Sequence, residues 1–369
     1  MDLLARARQL EAEGRSIIHL EVGEPDFATA RPIIDAGIQA LRQLQTHYTA
    51  ATGLPELRQA IANYYQHKFD LELDPRRVIV TPGASGALQL ALSVLTEAGD
   101  SILLSDPGYP CNRNIAKVLG VESIDVPVGA ESQYQLSAAH VAEYWQDNTR
   151  AAMVASPSNP TGTIIEKSEL AQLLNAVSEK KGHLIVDEIY QGLVYEQDEC
   201  TALSLSNEVF VINSFSKYFG MTGWRIGWMV VPESFVDAVD RVAQNIFLAP
   251  PTVSQHAALL AFTPETDDIL QRRVAMFKER RDYLLPVLQE LGFKIPVQPQ
   301  GAFYIYADCS AITDDSFQWT KDLLEKEGVA VTPGIDFGAF EANTHVRFAY
   351  TRSVDELKRA MCRIARFIK

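Results

Sequence analysis

Cysteine is scarce in this chain: there are four in 369 residues, scattered as Cys111, Cys200, Cys309 and Cys362. No CxxC pair or nearby histidine pattern accompanies them, which argues against a disulfide framework or structural zinc and predicts a reduced, cytoplasmic protein. No apolar run is long enough to span a bilayer. The N-terminal MDLLARARQLEAEGRSIIHL is amphipathic and carries acids, so it does not read as a secretory signal. Positive charge is also short, with 33 Lys and Arg against 47 Asp and Glu for a net charge of −14. Without a basic block or polybasic tail, that balance argues against nucleic acid and anionic membrane surfaces as partners. Repeats, low-complexity segments and long linkers are missing too.

What is present suits a large folded enzyme, with 47% hydrophobic and 22% charged residues. From about Val78 to Val231 the apolar runs VIVT, SILLS, VESIDVPV, RAAMVAS, HLIVDEIY, VFVINSFS and IGWMVV arrive in turn. Helix-like segments such as ASGALQLALSVLTEAG and KSELAQLLNAVSEKKG separate several of them. This alternation predicts an α/β fold whose mostly parallel sheet is covered by helices on both faces. After about Thr263 a long charged helix leads to FKIPVQPQ, AFYIYADCS, a helix, VAVTPG, HVRFAY and a last helix, the pattern of a smaller α+β domain. The expected division is a large domain over 32–262 and a small one over 1–31 and 263–369.

In such sheets ligands bind at the carboxyl ends of the strands. Those ends carry a set of polar groups: Asn159 in SPSNPTG, Asp187 and Tyr190 in VDEIY, Ser214, Ser216 and Lys217 closing VFVINSFS, and Gly83-Ala84-Ser85 after VIVTP. Each has a plain structural reading alone. NPTG is an ordinary turn sequence, an acid at a strand end is commonly a cap, and Arg225 could pair structurally with Asp187 or Glu188. Together they suit one cofactor, pyridoxal 5′-phosphate. Its aldehyde needs a lysine, and its ring nitrogen a buried carboxylate. Its phosphate needs helix N-terminal amides, hydroxyls and a cation. Its phenolic oxygen needs donors, and its ring face an aromatic or apolar cover.

Across nearly its whole length the chain resembles the class I/II aminotransferases of fold type I, the family that includes aspartate aminotransferase. The resemblance rests on GEPDF, HYTAATGLPELR, TPGASGAL, DPGYP, NPTG, VDEIY, SFSKYFGMTGWRIGW and HVRFAY, in that order. It implies that Lys217 condenses with the cofactor's aldehyde and that Asp187 holds the pyridine nitrogen. Asn159 and Tyr190 would contact the phenolic oxygen, and Tyr109 would stack on the ring. Ala84, Ser85, Ser214 and Arg225 would bind the phosphate, joined by Tyr48 of a neighbouring subunit in a homodimer with composite sites. Gly23, Asn159 and Arg347 would hold the substrate's α-carboxylate. Against the family's usual length the arm before EVGEPDF is short.

The implied reaction moves the α-amino group of an amino acid to a 2-oxo acid, with Lys217 carrying the Cα proton. Two alternatives share the cofactor residues: β-elimination at a carbon–sulfur bond, and a non-catalytic regulator that binds the cofactor. The second usually comes fused to a DNA-binding module, for which this acidic chain offers no room. No residue is assignable to the substrate side chain.

Overall fold

The computed structural model describes residues 2–369. Its larger sheet has seven strands: β1 (Val78–Thr81), β2 (Ser101–Asp106), β3 (Glu122–Pro127), β4 (Thr149–Ala155), β5 (His183–Asp187), β6 (Phe210–Ser214) and β7 (Gly227–Val230). All seven coincide with the apolar runs of the sequence. They lie in the order β1-β7-β6-β5-β4-β2-β3. Only β7 is antiparallel to its neighbours, pairing Thr81 and Ser214 with Gly227 on either side.

Except at the edge strand β3, alternating residues of the strands feed two separate cores, which is why those runs are apolar throughout rather than at every second position. On one face Ile79, Ile102, Leu104, Met153, Ile185, Ile212 and Met229 pack with Leu88 and Leu92 of the helix Gly83–Leu95. On the other, Val80, Leu103, Ala152, Val154, Val186, Val211 and Trp228 pack with Leu57 and Ile61 of Pro55–Phe69 and with Leu170 and Leu173 of Lys167–Glu179. Where both faces are buried, polar side chains fall at the strand ends, and there the site forms.

The long charged segment is the helix Pro264–Glu290, begun by Pro264 at its first position and by Thr263, whose hydroxyl accepts from the Thr266 amide. Beyond it a smaller antiparallel sheet has the order β9-β10-β8, from β8 (Tyr304–Asp308), β9 (Thr332–Pro333) and β10 (His345–Ala349). The run VAVTPG serves two sheets. Val329–Ala330 pairs in parallel with Ile18–His19, whereas Thr332–Pro333 pairs with β10. FKIPVQPQ forms no strand and contributes only a bridge from Lys294 to Asp308. No helix of the described residues is long and apolar enough to cross a membrane.

Candidate active site

The carboxyl ends of β4, β5 and β6 lead directly to Asn159, Asp187 and Ser214–Lys217, and β1 leads into the N-terminus of Gly83–Leu95. Because β7 runs the opposite way, its amino end lies at this same edge. That is how Arg225, two residues before β7, reaches the group. The chain makes the approach through a left-handed residue, Arg225 itself at φ 53°. The sequence points to Gly220 and Gly223 as the residues that let the chain turn here. Gly220 is left-handed at φ 66°, but a Cβ on Gly223 would meet nothing within 4 Å. The crowded position is Gly83, where a Cβ would stand 2.7 Å from Arg225 Nη2.

A cavity of about 290 Å³ occupies this edge. Gly23, Ala84, Ser85, Tyr109, Asn159, Asp187, Tyr190, Lys217, Arg225 and Arg347 all line it, so ten of the twelve residues to which the resemblance gives a role meet there. Ser214 lies just behind, its hydroxyl bonded to Ser216, which does line the cavity, and to the Ile226 carbonyl at 3.1 Å. Tyr48 stands apart on the surface, 81% exposed.

Lys217 Nζ donates to the Gly23 carbonyl at 2.6 Å. Burial pushes its ammonium down to about 8; Glu24 and Asp187 oppose the shift, and the cations Arg347 and Arg225 add to it. Burial conversely raises the Asp187 carboxyl to about 6, offset in part by the Ile189 amide and by Lys217. Neither Asp187 nor Glu188 forms an ion pair with Arg225 among the described residues; Arg225 Nη1 donates to the Thr222 carbonyl at 2.9 Å. Glu188 points away from the cavity lining, bonded to the Thr201 hydroxyl at 3.0 Å and to the Ala202 amide at 2.7 Å.

Arg347 sits in β10, the central strand of the smaller sheet, and its guanidinium carbon stands 4.3 Å from the centroid of the Tyr304 ring and 4.8 Å from that of Phe337. Nη1 donates to Asn159 Oδ1 at 2.8 Å, and Nη2 to the Glu21 carbonyl and, at 3.2 Å, to Thr332 Oγ1. Its buried Nε has no partner.

The sequence profile of the family described as "Aminotransferase class I and II" matches residues 15–364. The chain belongs to that family. It is an aminotransferase, similar at 38% identity to the valine–pyruvate aminotransferase of Mycobacterium tuberculosis, with 100% of this chain and 95% of the relative covered. It is 36% identical to the (5-formylfuran-3-yl)methyl phosphate transaminase of Methanocaldococcus jannaschii over 100% of this chain and 96% of that one. A crystal structure of an aminotransferase from Mycobacterium tuberculosis superposes with a TM-score of 0.97 at 38% identity, covering 100% of this chain and 95% of that one. Members of the family generally depend on pyridoxal 5′-phosphate.

Sequence reasoning missed Tyr304 in this aminotransferase. It lines the cavity, and its hydroxyl lies 2.8 Å from that of Tyr190. In AFYIYADCS it reads simply as one aromatic of a strand. Only the pairing of β8 with β10, which sets Ala349 opposite Tyr304 and Arg347 opposite Tyr306, turns it toward the site.

Proposed function

We propose that this aminotransferase binds pyridoxal 5′-phosphate in the cavity and, as a homodimer, moves the amino group of an α-amino acid to a 2-oxo acid. The observation that carries the reading is the convergence of one amine, one carboxylate and two guanidinium groups, Lys217, Asp187, Arg225 and Arg347, on a single cavity. The residues fit the cofactor. The first turn of Gly83–Leu95 has no side-chain cap, so its amides at Ala84 and Ser85 are available to a phosphate beside Arg225. Ser214 would act there by holding Ser216, and Tyr109 would cover the ring.

When bound, the cofactor supplies an electron sink for the charge left at the substrate's Cα. The protein's own groups do the rest. Lys217, with its proton held loosely, can act as nucleophile and then carry the Cα proton. Asp187 offers negative charge to a protonated ring nitrogen. Asn159, whose Oδ1 is taken by Arg347, keeps its Nδ2 hydrogens for the phenolic oxygen or the substrate. Tyr190 would donate to that same phenolic oxygen.

Arg347 has five N–H donors, and three are engaged within the protein, leaving two, Nε–H among them, for an α-carboxylate beside Gly23. A carboxylate anchored there would fix the orientation of the substrate's Cα, and so would settle which of its bonds is presented to Lys217 for proton removal.

Borohydride treatment of the cofactor-loaded protein tests the assignment. The reduced cofactor should appear on the peptide containing Lys217, and the visible absorbance of untreated protein should fade with an amino acid and return with a 2-oxo acid. Attachment at another lysine, or a cofactor that no such pair cycles, would overturn the reading.

A further inference from the structure

We propose that Tyr304 is a positioning residue joining the carboxylate anchor to the phenolic-oxygen site: its ring fixes the Arg347 guanidinium and its hydroxyl directs that of Tyr190 into the cavity. The proposal rests on the reading that Arg347 takes the substrate's carboxylate and Tyr190 the cofactor's oxygen.

The geometry gives Tyr304 three contacts. Its ring lies against the Arg347 guanidinium, 4.3 Å from centroid to Cζ, with the Phe337 ring 4.8 Å away. Two rings against one guanidinium restrict how it can turn. The Tyr304 hydroxyl meets the Tyr190 hydroxyl at 2.8 Å, the two rings standing edge to face at 80°. Gly23 walls the same hydroxyl, since a Cβ there would lie 2.0 Å from Tyr304 Oη. Gly23 is also the residue whose carbonyl accepts from Lys217.

The direction of the Tyr304–Tyr190 bond decides what Tyr190 can do. Each phenol has one proton, and one of the two protons fills the shared bond. Either hydroxyl could donate in the protein alone. A phenolic oxygen carrying negative charge is a stronger acceptor than a neutral phenol, so beside it the Tyr190 proton would turn into the cavity and the Tyr304 proton would fill the shared bond.

Ring and hydroxyl are separable by substitution. In cofactor-loaded Tyr304→Phe the ring stays on Arg347, so affinity for propanoate, an unreactive carboxylate, should remain within about twofold of the parent. Tyr190, freed to turn, becomes a poorer donor to the phenolic oxygen. That oxygen then holds the neighbouring proton more tightly, and the pH midpoint of the visible absorbance should rise by roughly half a unit to one unit. Tyr304→Leu removes the ring as well and should also weaken propanoate by roughly five- to thirtyfold. An unshifted midpoint in Tyr304→Phe, or a loss of propanoate affinity equal to that of the leucine variant, would overturn the inference alone. A parent protein with no visible band on adding pyridoxal 5′-phosphate would overturn the underlying reading, and this inference with it.

Discussion

At the scale of single residues, the site is built from charges the fold holds at a cost. Lys217 titrates near 8 instead of its usual 10.5, because burial disfavours its ammonium more than Glu24 and Asp187 favour it. The sign of the consequence follows from proton counting. Between about 8 and 10.5 the unfolded chain keeps a proton on this lysine that the folded, cofactor-free protein has lost, so stability rises with pH across that window. Below 8 both states are charged and the whole penalty is present. Lys217→Met should therefore stabilise the cofactor-free protein at pH 7, by roughly 1–3 kcal/mol once relaxation around the amine is allowed for. The gain should shrink toward zero by pH 10.5, the ordinary value of a lysine. Urea unfolding of parent and variant at pH 7 and pH 10 would measure it. A gain independent of pH would mean that methionine simply packs better, and that the amine is not held against its own hydration.

Among the elements, the junction of β1, β7 and the helix Gly83–Leu95 decides where the phosphate-binding group can form. Gly83 is left-handed at φ 74°, and Gly227 faces it so closely that a Cβ on Gly227 would meet Gly83 C at 2.9 Å. Gly83→Ala should cost about 1 kcal/mol in stability for the backbone conformation. Its larger effect should be on the cofactor, because the added methyl displaces Arg225. Equilibrium dialysis should show pyridoxal 5′-phosphate bound at least roughly tenfold more weakly, the cost of a disturbed charge-assisted hydrogen bond. Unchanged affinity would show that Arg225 is not a phosphate ligand. The six strands other than β3 were legible in the sequence because each is a short apolar run, and Asn159, Asp187, Ser214 and Lys217 because strand ends lead straight to them, whereas Gly23, Tyr48 and Arg347 came only with the family resemblance. What local pattern could not show was direction and pairing. Nothing in IGWMVV marks β7 as the strand that reverses. Nothing in VAVTPG marks where one sheet gives way to the next. Contacts such as Lys217 to Gly23, or Tyr304 to Tyr190, join segments 194 and 114 residues apart, beyond any periodicity.

At the scale of the whole molecule, the open question is what completes the cavity. We propose a large domain over 32–262 and a small one over 1–31 and 263–369, a division supported by the pairing of Ile18–His19 with Val329–Ala330 and by the ion pair of Asp26 with Arg280 at 2.8 Å. We also propose that Tyr48 completes the phosphate site of a second copy. It is 81% exposed, far more than a phenol ring is in a folded core, so it is free to meet a partner. Sedimentation at low micromolar concentration should show a dimer, but a dimer alone does not say which chain supplies Tyr48. Mixed dimers do. Lys217→Ala leaves a chain that cannot react but still presents Tyr48, whereas Tyr48→Ala leaves one that keeps Lys217 but lacks its gift to the neighbour. If Tyr48 crosses the interface, a dimer of one chain of each kind has one intact site, the Lys217 of one subunit joined by the Tyr48 of the other. With equal mixing and free exchange, half the dimers are mixed and each has one of its two sites, so activity should recover to about a quarter of the parent's. If Tyr48 instead served its own chain, the mixture would show only the sum of the two crippled variants, and the composite site would have to be abandoned.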